Sequence, residues 1–82
     1  MPKATSPRIL GQILKSTRTQ KRLTQDQAGN LVGITQAMVS RFERGESNIR
    51  IDTLFRLMSA LELELLVNPR EEQTGQGEGD NW

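Results

Sequence analysis

The 82-residue sequence contains neither cysteine nor histidine. Disulfides, thiol nucleophiles, zinc sites built on thiolate or imidazole, and imidazole acid–base catalysis are therefore excluded. No apolar run approaches the roughly 20 residues that a membrane-spanning helix needs. The longest, Leu63 to Val67, is itself interrupted by Glu64. The first ten residues hold no apolar signal core, so the expectation is a soluble, cytoplasmic chain with no membrane partner. Aromatic residues make up 4%, and the single tryptophan is the last residue, Trp82. No set of residues forms a nucleophile, a metal-ligand cluster or a base constellation. The sequence reads as a binding protein that is not an enzyme and needs no cofactor or metal. Its length allows one small domain and a tail, and leaves no room for a second core.

The formal net charge is +1, but the charges are segregated. Residues 1–60 carry ten Lys/Arg against four Asp/Glu, whereas residues 61–82 carry one against six. A basic body is thus followed by an acidic end.

Periodicity and punctuation predict four helices. Ser6 and Pro7 supply an N-cap and a first helical residue, since proline lacks the N–H that would be unpaired there. The first helix runs from Pro7 to Lys21 with an apolar stripe of Ile9, Leu10, Ile13 and Leu14. Thr24 with Gln27 three residues later is a capping box that starts the second helix at Gln25. Gly33 ends it, and Thr35 opens a third helix reaching Arg44. That helix buries Met38, Val39 and Phe42 and presents Gln36, Ala37, Ser40, Arg41 and Arg44 on a polar, basic face without carboxylates. Gly45 terminates it, and Glu46 to Arg50 form a loop. A fourth helix, Ile51 to Leu61, carries Ile51, Leu54, Phe55, Met58 and Leu61 at core spacing behind a poor N-cap, Arg50. The period then changes to two: Leu61, Leu63, Leu65 and Val67 alternate as in a half-buried strand, and Asn68 and Pro69 stop it. Residues 70–81 contain no apolar side chain and three glycines, so the tail is expected to be disordered. The resulting division is a domain over residues 1–67 and an acidic tail over residues 68–82.

Two helices joined by a short glycine turn have the geometry of a helix-turn-helix, whose second helix enters the DNA major groove. Gln25, Gly29, Gly33, Ile34, Val39 and Phe42 place small residues at the helix crossing, glycine at the turn and apolar anchors under the third helix. The run LTQDQAGNLVGITQAMVSRFERG resembles, in order and spacing, the Cro/C1-type (Xre-like) repressors, and the resemblance spans about residues 8–61. Gly29 departs from the alanine usual in that family, at about 1 kcal/mol of helix propensity. The resemblance implies that Gln36, Ala37, Ser40 and Arg41 meet base edges. Gln36 suits the N6/N7 edge of adenine, Ala37 a thymine methyl, and Arg41 guanine or a phosphate. It implies phosphate contacts for Gln25, Arg44 and Asn48, and a buried ion pair between Arg18 and Glu43 that serves the fold.

A lone strand exposes an unpaired edge, which a second copy would cover. The expected fold is accordingly mainly α, a four-helix Cro/C1-like domain followed by one short strand that pairs across a homodimer through Leu63, Leu65 and Val67. A dimer also matches a palindromic operator with half-sites about 10 bp apart or a multiple of that. The SALELELLVNP segment and the acidic tail ending in tryptophan resemble the HipB-type antitoxins within this family. That resemblance implies repression of the protein's own operon and neutralisation of a HipA-type serine/threonine kinase toxin, with Trp82 as an anchor for the toxin. A stand-alone phage-type repressor, or an interaction module of the same fold with little DNA affinity, are the alternative readings.

Overall fold

The computed structural model describes residues 2–70. The acidic stretch from residue 71 onward and the expected anchor Trp82 lie outside the described residues. Four helices are present among the described residues: α1 (Pro7–Gln20), α2 (Gln25–Asn30), α3 (Gln36–Glu43) and α4 (Ile51–Ala60). None of them is long and apolar enough to cross a membrane.

Each of the first three helices starts where a side chain can cap it. The Ser6 hydroxyl accepts from Ile9 N at 3.2 Å, and Thr35 accepts from Met38 N at 3.2 Å. At α2 the capping box is reciprocal: Thr24 Oγ1 accepts from Gln27 N at 3.0 Å, and Thr24 N donates to Gln27 Oε1 at 2.8 Å. Arg50 gives α4 no side-chain cap, as its residue type leads one to expect.

The four helix ends share one geometry. The chain passes through a left-handed residue, Arg22, Gly33, Gly45 or Glu62, with φ of 60, 71, 77 and 59° respectively. The next N–H then reaches back five residues: Leu23 to Arg18 O (3.1 Å), Ile34 to Gly29 O (2.9 Å), Glu46 to Arg41 O (3.3 Å) and Leu63 to Met58 O (2.9 Å). This is the closing bond of the Schellman motif, which satisfies carbonyls left orphaned at a helix terminus. In three of the four cases the residue that donates it is apolar and folds onto the core; Ile34 is buried, and Leu23 and Leu63 are half-buried. The fourth is Glu46.

Leu14, Ala28, Ile34, Val39, Phe42, Leu57, Met58 and Leu61 form a single core, with Leu10, Leu23, Met38, Ile49, Leu54 and Leu63 packed around it. Two crossings depend on the absence of a side chain. A Cβ on Gly11 would stand 2.6 Å from the carbonyl oxygen of Phe42 and 2.7 Å from that of Glu43, so α1 and α3 approach backbone to backbone. A Cβ on Gly29 would meet Ile34 O at 2.2 Å. Gly29 therefore offsets its low helix propensity with a close approach that tightens the turn.

One expectation is corrected. On α4 the buried stripe is Leu54, Leu57, Met58 and Leu61, while Ile51 and Phe55 remain 64% and 46% exposed. The helix carries two overlapping apolar stripes, and only one can face a core of this size. After α4 no strand forms among the described residues. Leu63 packs on the core and Leu65 lines a cavity with Leu10, Leu14, Phe42 and Leu54, although it is 47% exposed, while Val67 is 88% exposed. Alternating sequence alone does not make a strand, which exists only through the ladder bonds of a neighbour.

Candidate nucleic-acid interface

The fold leaves one edge of α3 outward. Val39 and Phe42 anchor the helix from beneath. Gln36, Ala37 and Arg44 are exposed and Ser40 and Arg41 half-exposed, so the five lie on the side away from the core. The turn that aims this edge is held from α4, where Arg56 Nη2 donates to the carbonyls of Val32 (2.6 Å) and Gly33 (3.2 Å).

Behind the edge is a buried ion pair. Arg18 Nε donates to Glu43 Oε2 at 2.6 Å and Nη2 donates to Glu43 Oε1 at 3.1 Å, with the two side chains 11% and 4% exposed. The third arm of the guanidinium, Nη1, donates to Leu23 O at 2.7 Å. The fork is thus satisfied on the carboxylate and on the carbonyl that follows α1. Removing either partner would strand a buried charge, at about 3–5 kcal/mol.

From this pair a hydrogen-bond chain runs to the surface. Gln25 Nε2 donates to Glu43 Oε1 at 3.0 Å, and Gln36 Nε2 donates to Gln25 Oε1 at 2.6 Å. Its direction follows from chemistry. A carboxylate only accepts, so Gln25 must turn its NH2 inward and its oxygen outward, and Gln36 must then offer an N–H to that oxygen. One N–H and both lone pairs of the Gln36 amide stay available. They make the donor–acceptor pair that complements the N7 and N6–H of adenine. Gln25, expected at a phosphate, has both ends of its side chain engaged within the protein. It sits at the N-terminus of α2, half-exposed, and orients Gln36.

At the other end of the edge the arginines are not bare. Glu46 Oε1 accepts from Arg41 Nε at 2.8 Å, while Oε2 accepts from Arg44 Nη2 at 2.8 Å and Nε at 3.2 Å. Arg44 also donates to Ser40 Oγ, and Arg41 Nη2 donates to Asn48 O at 3.3 Å. Arg41, then Arg44, hold the Glu46 carboxyl below the usual carboxylate range. The surface expected to be free of carboxylates has none among the outward residues of α3, but the turn after the helix swings one onto it. Asn48 contributes its carbonyl to Arg41, and its residue is exposed. Glu46 and its partnership were missed because a loop residue has no periodicity to follow. The signal was available in Gly45, whose left-handed turn dictates where the next residue goes.

No group of carboxylates among the described residues is suited to hold a metal ion. The arrangement offers directional hydrogen-bond donors and acceptors, a methyl at Ala37 and two guanidiniums on one convex edge. These are means of recognition.

Comparison with known proteins agrees with that geometry. The helix-turn-helix model HTH_3 matches residues 14–67. The antitoxin HipB of Escherichia coli K12 is 35% identical over 63 residues, covering 77% of this chain and 72% of the relative. Among solved structures, HipB in a HipB–O4 20mer complex superposes with a TM-score of 0.81 at 31% identity, covering 87% of this chain and all of that one. A HipA–HipB–O2–O3 complex contains a chain that matches with a TM-score of 0.80 at 31% identity over the same shares. The chain belongs to the Cro/C1-type helix-turn-helix family, and within it to the HipB-type antitoxins.

Proposed function

We propose that this protein is a homodimeric, sequence-specific DNA-binding repressor that acts as an antitoxin. It binds a palindromic operator of its own operon and neutralises a HipA-type serine/threonine kinase toxin, in the cytoplasm and without catalysis of its own. The observation that carries the reading is the outward edge of α3, with Gln36 held by Gln25 and, through it, by the Arg18–Glu43 pair. Gln36, Ala37 and Ser40 read bases, Arg41 reaches guanine or a phosphate, Arg44 and Asn48 contact phosphates, and Gln25 orients Gln36. Likeness to HipB, which occurs in a complex with HipA, supports the toxin as partner.

Dimerisation uses the apolar surface that one chain leaves uncovered. Ile51 and Phe55 on α4 and Leu65, Leu66 and Val67 after it are 46–88% exposed. Pairing of Leu63–Val67 with its symmetry mate satisfies its backbone groups and buries those side chains, which supports the strand as a property of the dimer. Residues 1–67 then form the DNA-binding and dimerisation unit, and residues 68–82 a tail whose Trp82 anchors the toxin.

The test is co-purification with the product of the neighbouring gene, expected to be the kinase, using the full chain and a version truncated after Asn81, together with a mobility shift on the DNA upstream of its own reading frame. Binding to that DNA in preference to a scrambled duplex, and recovery of the kinase by the full chain, are expected. Equal affinity for both duplexes refutes the operator, absence of the kinase refutes the antitoxin role, and equal recovery by both chains removes Trp82 from the interface.

A further inference from the structure

Three of the four helix ends place an apolar residue after the left-handed turn and tuck it inward, whereas the end of α3 places Glu46 there. The Schellman geometry brings that position beside the residue five back, which is Arg41. The turn is itself pinned: a Cβ on Gly45 would stand 2.6 Å from Arg8 Cα and 3.1 Å from Pro7 O, so the loop lies hard against the start of α1. The backbone of the turn therefore carries the carboxylate to the side of the arginines. Its two oxygens then serve two guanidiniums, one each.

A carboxylate held this way offers Arg41 and Arg44 what a DNA phosphate would offer, namely two anionic oxygens at hydrogen-bond distance. We propose that Glu46 is a built-in competitor for the DNA backbone: it occupies Arg41 and Arg44 in the free protein, a phosphate must displace it, and it thereby lowers affinity for every duplex. The inference rests on the DNA-binding reading above and deepens it. The arginines are pre-positioned but partly neutralised, so non-specific attraction is weakened and base contacts must supply a larger share of the affinity. Because Arg41 and Arg44 hold the carboxyl below the usual carboxylate range, the competitor acts throughout neutral pH and is not a pH switch.

The experiment measures affinity of the full chain, wild type, Glu46→Gln and Glu62→Gln, for the upstream DNA and for an unrelated duplex across a salt series. Glu62→Gln removes the same charge from a carboxylate that pairs instead with Lys21 where α1 and α4 end. Glu46→Gln is expected to bind both duplexes about 3- to 30-fold more tightly, the sum of two exposed ion pairs no longer to be broken. The log–log salt slope should steepen by about one per subunit. Glu62→Gln should change affinity by less than about twofold. Unchanged or weaker binding by Glu46→Gln, or an equal gain from Glu62→Gln, overturns the proposal while leaving DNA binding intact. If neither wild type nor Glu46→Gln binds any duplex at low salt, the DNA-binding reading itself falls, and the proposal with it.

Discussion

Replacing Gln25 by alanine cuts the chain that links the buried ion pair to the reading edge, while leaving both ends in place. Arg18 keeps its two bonds to Glu43 and its bond to Leu23 O, so the charge pair remains satisfied. The loss is one part-buried bond to a carboxylate, with the exposed neutral bond largely replaced by water, together about 1.5–3 kcal/mol of stability. In a domain of this size that lowers Tm by about 6–24 °C. Binding at 25 °C is thus measured on folded protein. Freed from its 2.6 Å partner, Gln36 must be ordered at the moment of binding. Immobilising such a side chain costs about 0.5–1.5 kcal/mol, so the preference for adenine should fall by about 2- to 12-fold. Fluorescence anisotropy with the operator and with versions altered at the adenine gives the quantity directly. A double-mutant cycle with Gln36→Ala separates two roles for Gln25. Orientation of Gln36 predicts a coupling of about 0.5–1.5 kcal/mol, whereas an independent phosphate contact predicts additivity within about 0.3–0.5 kcal/mol. Additive effects would refute the relay.

Further outcomes follow from single positions. Gly11→Ala must push α1 off the carbonyls of Phe42 and Glu43, and denaturant unfolding should show a loss of about 1–3 kcal/mol. Arg22 is a non-glycine residue at a φ of 60°, so Arg22→Gly should raise stability by about 0.5–1 kcal/mol; a loss would contradict the strain assigned to that helix end. The Arg50 guanidinium lowers the Asp52 carboxyl to about 2. Depression of a carboxyl pKa gives stability that is complete above the ordinary aspartate value of about 3.9 and is lost as pH falls toward the folded value. Asp52→Asn should therefore lower stability at neutral pH, flatten the acid limb between those two values and converge with wild type below them, as pH-dependent denaturant unfolding would read.

Features set by neighbours in the chain were legible in the sequence, and those set by backbone approach were not. Ser6, Thr24 with Gln27, and Thr35 each marked a helix start within a residue, because a cap is a bond between positions three apart. The outward residues of α3 followed from its period, and Arg18 with Glu43 from family resemblance. The stripe on α4 was ambiguous, since Leu54, Met58 and Leu61 belong to both possible faces. Leu57 settles which one is buried, at no exposed area. Arg22 and Glu62 close helices in a conformation usually signalled by glycine, so those ends carried no residue-type mark. The tightness at Gly11 arises from how segments far apart in sequence come together, which residue type and period do not encode, whereas the return of Glu46 to Arg41 was marked only by Gly45 and by no period. Gln25 was legible as a helix-start residue, but its two partners lie 11 and 18 residues away.

The account stands or falls on whether the α3 edge reads DNA. The most direct measurement is the affinity of the full chain for the DNA upstream of its own reading frame, against a scrambled duplex, between 50 and 200 mM salt. If the two subunits together neutralise about six phosphates, the affinity should fall by about 10³-fold over that range, with operator preference retained throughout. Binding that ignores salt, or that is equal for the two duplexes, would contradict it.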